Sequence, residues 1–439
     1  MKSTRRYSSS ATTLLMAVAC GYAPAALAAQ AVKTSDLIAS LGINTHLNYT
    51  DGTYADYRRV IADLNYLGIH HLRDATPDPF GGVPYMNYVT ALDAVANAGN
   101  RFDFVTSPSL DLGISLDQIA TVERAHPGAV FAVEGPNEIN NNPVSYNGQN
   151  GNAGATAYQR DLYSAVHASP VLQHAAVYYY TGFDDAHRLT GLADFANCHP
   201  YSAQGQQPDA RIAAEFRKQF TFTPPYPKVI TEAGYFDVPS SRDGVDDATQ
   251  AKNTLNLYMD AFAQGVSETY VYQLLSAYPD HRSDTQSGLF RINHSPKPAA
   301  VAIHNLTTIL ADRGKRDFHP ASLDDSVTNL PATGRALLLE KSSGSFDIVL
   351  WSEPANWNDQ THQEITSPPV SVTVTMNGIR ANIAVYDPTV GLRPLQRIRD
   401  ARAVTINLAD HPVIIEVKPI PLDVATAGGS PLSAATEAD

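Results

Sequence analysis

From residue 41 onward, short apolar runs alternate with longer stretches of helical period. The runs "LGINTHL" at 41, "HHLRD" at 70, "RFDFVTSPS" at 101, "VFAVEGPNE" at 130, "AAVYYY" at 175, "FANCHPY" at 195, "KVITEAGY" at 228 and "ETYVYQLL" at 268 read as strands. Between them, Tyr57, Val60, Ile61, Leu64 and Leu67 keep the i, i+3, i+4, i+7 spacing of a helix with one buried face, and Leu255, Tyr258, Met259 and Phe262 do the same before the eighth run. Pro298 opens "KPAAVAIHNLTTILAD" as the first residue of a helix, where its missing N–H leaves no hydrogen bond unmade. Eight strand-helix units therefore end near Asp312. Strict alternation demands parallel strands with right-handed crossovers, and eight units in about 250 residues fit a closed (β/α)8 TIM barrel. An open doubly wound sheet is the alternative, but the first strand-to-helix turn, "HLNYTDGTY", lacks the glycine fingerprint of dinucleotide sites.

After Asp312 the pattern changes. "RALLLEKSSGSFDIVLWSE", "VSVTVTMNG", "RANIAVYD", "AVTINL" and "VIIEVKPI" are closely spaced strands separated by Gly, Asn, Asp and Pro turns, which predicts an antiparallel β-sandwich. The expected division is a barrel over 33–314, a sandwich over 315–420 and a disordered tail over 421–439, the last rich in Pro, Gly, Ala and Ser. Residues 1–29 read as a signal peptide: Lys2, Arg5 and Arg6 precede a short apolar stretch from Leu14 to Val18, and "AALAAQ" supplies small residues for cleavage near Ala28 or Ala29. A secreted or periplasmic protein is expected. Ala17 stands where a lipobox usually has Leu, so anchoring through Cys20 is the second expectation. No later segment approaches the ~20 apolar residues of a membrane span. Cleavage leaves Cys198 alone, so the exported chain has no internal disulfide. A formal net charge of -13 without acidic runs argues against nucleic acid as a partner.

In a TIM barrel, chemistry collects at the C-terminal strand ends. Those positions hold His46 on strand 1, Arg73 on strand 2, Asn137 and Glu138 on strand 4, His199 and Tyr201 on strand 6, Glu232 on strand 7, and Tyr272 or Gln273 on strand 8. Glutamates on strands 4 and 7 face each other across the mouth. Glycosidic cleavage needs such a pair: an acid to protonate the leaving oxygen, and a carboxylate to attack or stabilise the sugar cation. A separation of ~5 to 5.5 Å goes with retention of configuration, a wider one with inversion.

"GPNE" at strand 4 and "TEAG" at strand 7 resemble the paired motifs of clan A retaining glycoside hydrolases. "GLFRINHSPKPAAVAIHNL" is similar to the segment after strand 8 in that clan, and the trailing sandwich resembles the family 39 branch and its neighbours. The resemblance covers roughly 36–420 in architecture but only short segments in motif. It implies Glu138 as acid/base, Glu232 as nucleophile and Asn137 as a partner of the sugar 2-hydroxyl. It also implies that Arg73 and Tyr201 keep Glu232 charged and aimed, with His199 beside Glu138. The chain departs from the clan at strand 8, where Tyr270, Tyr272 and Gln273 stand in place of a frequent Trp. The Asn- and Gly-rich stretch 140–154 is expected to border the cleft, with Tyr146 as a stacking residue. A neighbouring Glu232 anion and partial desolvation are expected to raise the pKa of Glu138.

His70 and His71 point to opposite faces if they lie on a strand, and no H-E-x-x-H or His/Cys spacing occurs, so neither metal nor cofactor is expected. The chain is thus read as an exported retaining glycosidase acting on a polysaccharide or oligosaccharide by double displacement. A non-catalytic carbohydrate-binding barrel and a polysaccharide lyase are the alternatives. Sugar, linkage, endo or exo action and oligomeric state stay open.

Overall fold

The computed structural model describes residues 29–81, 84–182, 189–220, 226–279, 286–314 and 317–420. The expected signal peptide up to residue 28, Cys20 and the 421–439 tail lie outside them. Eight parallel strands, β1 Leu41–Asn44, β2 His71–Ala75, β3 Arg101–Val105, β4 Val130–Glu134, β5 Ala176–Tyr178, β6 Ala196–Cys198, β7 Lys228–Ala233 and β8 Val266–Val271, pair in chain order. β8 pairs with β1, and the Tyr178–Phe195 bridge joins β5 to β6, closing the barrel.

Among the described residues, seven helices follow its strands: α1 Tyr57–Leu67, α2 Tyr85–Asn97, α3 Leu112–Ala125, α4 Gly151–Ala168, α5 Asp209–Gln219, α6 Asp247–Ala263 and α7 Pro298–Ile309. The predicted apolar stripes fall on α1 and α6. Asp56 caps α1 by accepting from the Arg59 amide, and Gly68 ends it in the left-handed region at φ 69°. One expected unit is incomplete: among the described residues no helix follows β5. There the Asp194 carboxylate accepts the Val177 amide at 2.8 Å and the chain re-enters the barrel at once.

The barrel interior is layered. Ala132, Tyr178, Val229 and Tyr270 form an apolar plug. Another part of the interior is polar and wholly or nearly wholly buried: Arg73, Glu134, Asn197 and Thr231. So polar an interior is stable only if every group is paired, and the pairing is what builds the site.

The second domain faces β9 Asp325–Thr328, β12 Val370–Met376 and β15 Ala403–Leu408 against a larger sheet. That sheet runs in the order β10 Gly334–Glu340, β11 Phe346–Ser352, β16 Val413–Pro419, β13 Ala381–Tyr386 and β14 Gln396–Ala401. Ile348, Leu350, Val372, Val374 and Val404 meet between the sheets. The domain also recruits the N-terminal end, since Val32–Lys33 runs parallel to β10. On its outer face, Leu339, Val349, Trp351 and Ile414 join the apolar cluster of the barrel. Trp351 donates to Asp260 of α6 at 2.7 Å, and Asn256 of α6 donates to the Asp410 carbonyl at 3.0 Å. A shared apolar core of this kind fixes one domain on the other.

Candidate active site

β4 ends at Glu134 because Gly135 and Pro136 follow it. A Cβ at position 135 would lie 1.8 Å from Oε1 of Gln159, whose side chain is tied by its Nε2 to the Tyr178 and Leu192 carbonyls, and glycine avoids that clash. Four residues past Glu134 the chain turns sharply, and Glu138 sits at φ 42°. For a non-glycine residue that conformation costs on the order of 1–3 kcal/mol and persists only where neighbours enforce it. They do: the Glu138 amide donates to Thr181 Oγ1 at 3.0 Å, the Ile139 amide to the Thr181 carbonyl at 3.0 Å, and the Glu138 carbonyl accepts from the amides of Asn141 and Asn142.

Glu232 arrives by a different device. Ile230 pairs with Thr269 and Ala233 with Val271, so β7 spends three steps where β8 spends two. This bulge breaks the alternation of side chains. Thr231 and Glu232, adjacent in sequence, therefore both join the central network. Thr231 Oγ1 lies 3.0 Å from Glu134 and 2.9 Å from His199 Nε2, and Glu232 contacts Arg73 and Tyr201.

Arg73 is the hub. Its Nε and Nη2 bind Glu134 at 2.6 and 3.1 Å, and its Nη1 binds Glu232 at 2.6 Å and Asn44 at 3.1 Å. Its Nη2 also donates to Asn137 Oδ1 at 2.8 Å. Burial alone would lower its pKa, but Glu134 and Glu232 on either side raise it well above the usual value. Tyr201 donates to the other Glu232 oxygen at 3.0 Å. Both oxygens of Glu232 are thus engaged and its orientation is set.

Glu138 faces it. His199 Nδ1 is 3.0 Å from Glu138 Oε1 and 3.8 Å from Glu232 Oε2, and Asn141 donates to Glu138 Oε2 at 2.9 Å. One ligand-type atom from each of Glu138, His199 and Glu232 lies within 4.8 Å of the others. The pKa of Glu138 is lowered to about 2, chiefly by the His199 hydrogen bond, which outweighs burial; the charge of His199 and the Asn141 bond act the same way. This corrects the expectation of a raised value. Two donors meet Glu138 directly, whereas the charge of Glu232 is offset by Arg73 at 2.6 Å. The trio offers a cation one ligand atom from each residue, with Arg73 and Tyr201 already on the Glu232 oxygens.

The remaining expected residues divide. His46 is half-buried at the mouth, stacked on Tyr49 with ring centres 4.4 Å apart, and its Nε2 is 3.1 Å from the hydroxyl of Tyr272. Burial lowers its pKa to about 4, so it is neutral at pH 7. Gln273 is not in the cleft: it is wholly buried and accepts from Tyr54 at 2.9 Å, because it follows Tyr272 and points inward. Tyr146 also turns away. Its hydroxyl donates to Asp161 at 3.0 Å and its ring packs edge-on against Tyr158 of α4. His70 and His71 separate, the first meeting Asn100 and the second Glu268.

Sequence reasoning missed Glu134, Asn44, Thr231 and Asn197, which orient the site from beneath. Asn197 donates to Glu134 at 3.1 Å and accepts from the Thr231 amide at 3.2 Å. Glu134, an acidic residue closing an otherwise apolar strand, was the available signal.

No protein-family model matches the chain, and no curated protein does. Solved structures do. A family 39 glycoside hydrolase from the gut symbiont Bacteroides cellulosilyticus WH2 aligns with a TM-score of 0.57 at 14% identity, over 88% of this chain and 82% of that one. The chain shares the fold of a family 39 glycoside hydrolase. A monomeric β-xylosidase from Caulobacter crescentus CB15 gives 0.56 at 15% identity over 90% and 98% of the two chains. A family 39 β-xylosidase structure from Caulobacter crescentus gives 0.53 at 16% identity, with the same coverage.

Proposed function

We propose that the chain is an exported glycoside hydrolase that retains anomeric configuration. Glu232 attacks the anomeric carbon as the glycosidic oxygen takes a proton from Glu138 and leaves. Glu138, now a carboxylate, removes a proton from water, which attacks the same carbon and releases Glu232. The observation that carries this reading is the close approach of Glu138 and Glu232, one carboxyl oxygen of each lying within 4.8 Å of the other across the barrel mouth, which favours the short spacing of retaining enzymes over the ~6.5–9.5 Å of inverting ones. The order of roles follows from surroundings. Glu232 is gripped by Arg73 and Tyr201 as a charged, fixed nucleophile should be, and Glu138 is the more exposed and touches His199, a group able to carry its proton. Asn137 gives its oxygen to Arg73, leaving its amide N–H groups for a sugar hydroxyl. Export rests on the N-terminal sequence pattern.

One observation favours a second reading. A carboxylate held near pKa 2 is a poor acid in the free protein, as a carbohydrate-binding barrel without turnover would tolerate. Catalysis requires that the proton reach Glu138 when substrate excludes water, from the His199 side of the pair. Proton NMR of the first product formed from an aryl glycoside separates the readings. Retained configuration, with Glu232→Gln losing on the order of 10⁴-fold or more in kcat, supports hydrolysis. Inverted product excludes double displacement, and binding without turnover supports the binder.

A further inference from the structure

Beside the carboxylate pair, not over it, lies a cleft of about 770 Å³ at the ends of β2, β3 and β4. Asn137 and Asn141 line it, but neither Glu138 nor Glu232 does, so a ring undergoing cleavage does not occupy this space. A hexosyl ring of about a dozen non-hydrogen atoms displaces on the order of six waters, or roughly 180 Å³ at about 30 Å³ each. The cleft has room for at least one ring more.

Its chemistry is selective. Thr76, Ser107, Ser109, Asn142 and Ser145 bring hydroxyl and amide groups to walls otherwise formed by residues such as Pro108, Leu110 and Pro136. Short polar groups spaced along apolar walls suit the hydroxyls and C–H faces of a neutral sugar. Among the described residues the only formal charge on the lining is Asp78, and no Lys, Arg or His lines it. Asp78 Oδ1 accepts from the Phe80 amide at 2.8 Å, and Phe80 on the same turn is 77% exposed. The nearest buried cation, Arg73, is already engaged by Glu134, Glu232, Asn44 and Asn137. A uronate, sulfate or phosphate group placed here would meet the Asp78 carboxylate and no cation on the lining, so repulsion would go unbalanced.

We infer that this cleft is a second sugar-binding subsite, selective for neutral sugars, and that the protein acts on chains rather than on single glycosides. The catalytic half of this statement rests on the proposed hydrolase function; the binding half does not.

The test uses wild type with neutral xylo-, cello- and laminari-oligosaccharides of two to four units, and with trisaccharides of the same linkages in which one or the other end ring is replaced by its uronate. For the best neutral series, kcat/KM is expected to rise at least tenfold from disaccharide to trisaccharide. With a uronate at the end that enters the cleft, the trisaccharide should be at least 50-fold poorer than its neutral parent. Ser107→Trp, which narrows the cleft at its wall, should bring the trisaccharide-to-disaccharide ratio within threefold of one. Calorimetry of Glu232→Gln with the same oligosaccharides gives an independent readout. If nothing is hydrolysed but trisaccharide binds at least tenfold tighter than disaccharide, the hydrolase reading fails and the subsite stands. Length-independent turnover and binding, uronate-ended trisaccharides handled as well as their neutral parents whichever end carries the uronate, or neither turnover nor binding of any neutral oligosaccharide overturns the inference.

Discussion

At the scale of single residues, the site is a chain of charges in which each side chain fixes the next. Glu134 holds Arg73, Arg73 and Tyr201 hold Glu232, and His199 and Asn141 hold Glu138. Removing Tyr201's hydroxyl takes one hydrogen bond from a carboxylate, worth about 1.5–3 kcal/mol when charged. Tyr201→Phe should therefore lower kcat/KM by about tenfold or more on any substrate the wild type cleaves. His199 acts on Glu138 in a way that titration can read. Its bond stabilises the carboxylate, so losing it destabilises the charged form and raises the pKa. In ¹³C NMR of labelled glutamate, Glu138 should titrate near 2 in the wild type and move toward or above its ordinary 4.5 in His199→Ala. An unmoved resonance would show that His199 does not set the charge of Glu138.

The elements contribute geometry that no single side chain could. The bulge in β7 brings Thr231 and Glu232 into one network, and the turn after β4 holds Glu138 at positive φ against the exit of β5. Gly182 is where these loops touch: a Cβ there would lie 1.9 Å from Asn140 Oδ1 and 2.7 Å from Glu138 Cα, at a backbone φ of 77°. Gly182→Ala should push the acid-bearing turn aside. Activity is expected to fall at least tenfold while stability falls by about 1–3 kcal/mol, as urea unfolding would measure. Activity and stability falling in proportion would mean that the contact only supports the fold. At the other end of the chain, β14 escaped sequence reading because it is an edge strand. In "QRIRDA" only Ile398 and Ala401 pack on the core, and exposed Arg397 and Arg399 leave no apolar alternation to see.

Across the whole molecule, the two domains are locked by apolar burial and by a polar junction around His411. Its ring nitrogens meet Asp410 at 3.1 Å and Asp387 at 3.0 Å, and Asp410 also accepts from Lys252 of α6 at 3.1 Å. Burial alone would lower the pKa of His411, but the two carboxylates raise it to about 9. A histidine raised above its ordinary 6.5 contributes its stability in full below that pH and loses it as pH rises through 9. The contribution is on the order of 3 kcal/mol, from a pKa raised from 6.5 to about 9. Unfolding free energy should decline between pH 6.5 and 9 in the wild type, and His411→Ala should be less stable at pH 6.5 with that slope flattened. Parallel pH profiles for the two proteins would place the loss elsewhere.

Much of this architecture was readable from residue order. Apolar periods placed all eight barrel strands and the stripes of α1 and α6, because local burial patterns encode element type directly. The strand-end rule pointed to Glu138, Glu232, Arg73, His199 and Tyr201, which the fold gathers into one hydrogen-bonded cluster. It failed for Gln273, which the turn after β8 sends inward; Tyr146, expected from the Asn- and Gly-rich loop to stack in the cleft, packs on α4 instead. The polar support of Glu134, Asn44, Thr231 and Asn197 was hidden, since a buried polar residue looks like an exposed one until its partners are known. What the sequence determined by itself was periodicity, and hence the barrel, the sandwich and the positions of the acidic pair. The charge state of Glu138, the bulge that aims Glu232 and the cleft beside them depend on side chains from strands far apart in sequence, and only closure of the barrel brings those within hydrogen-bonding distance.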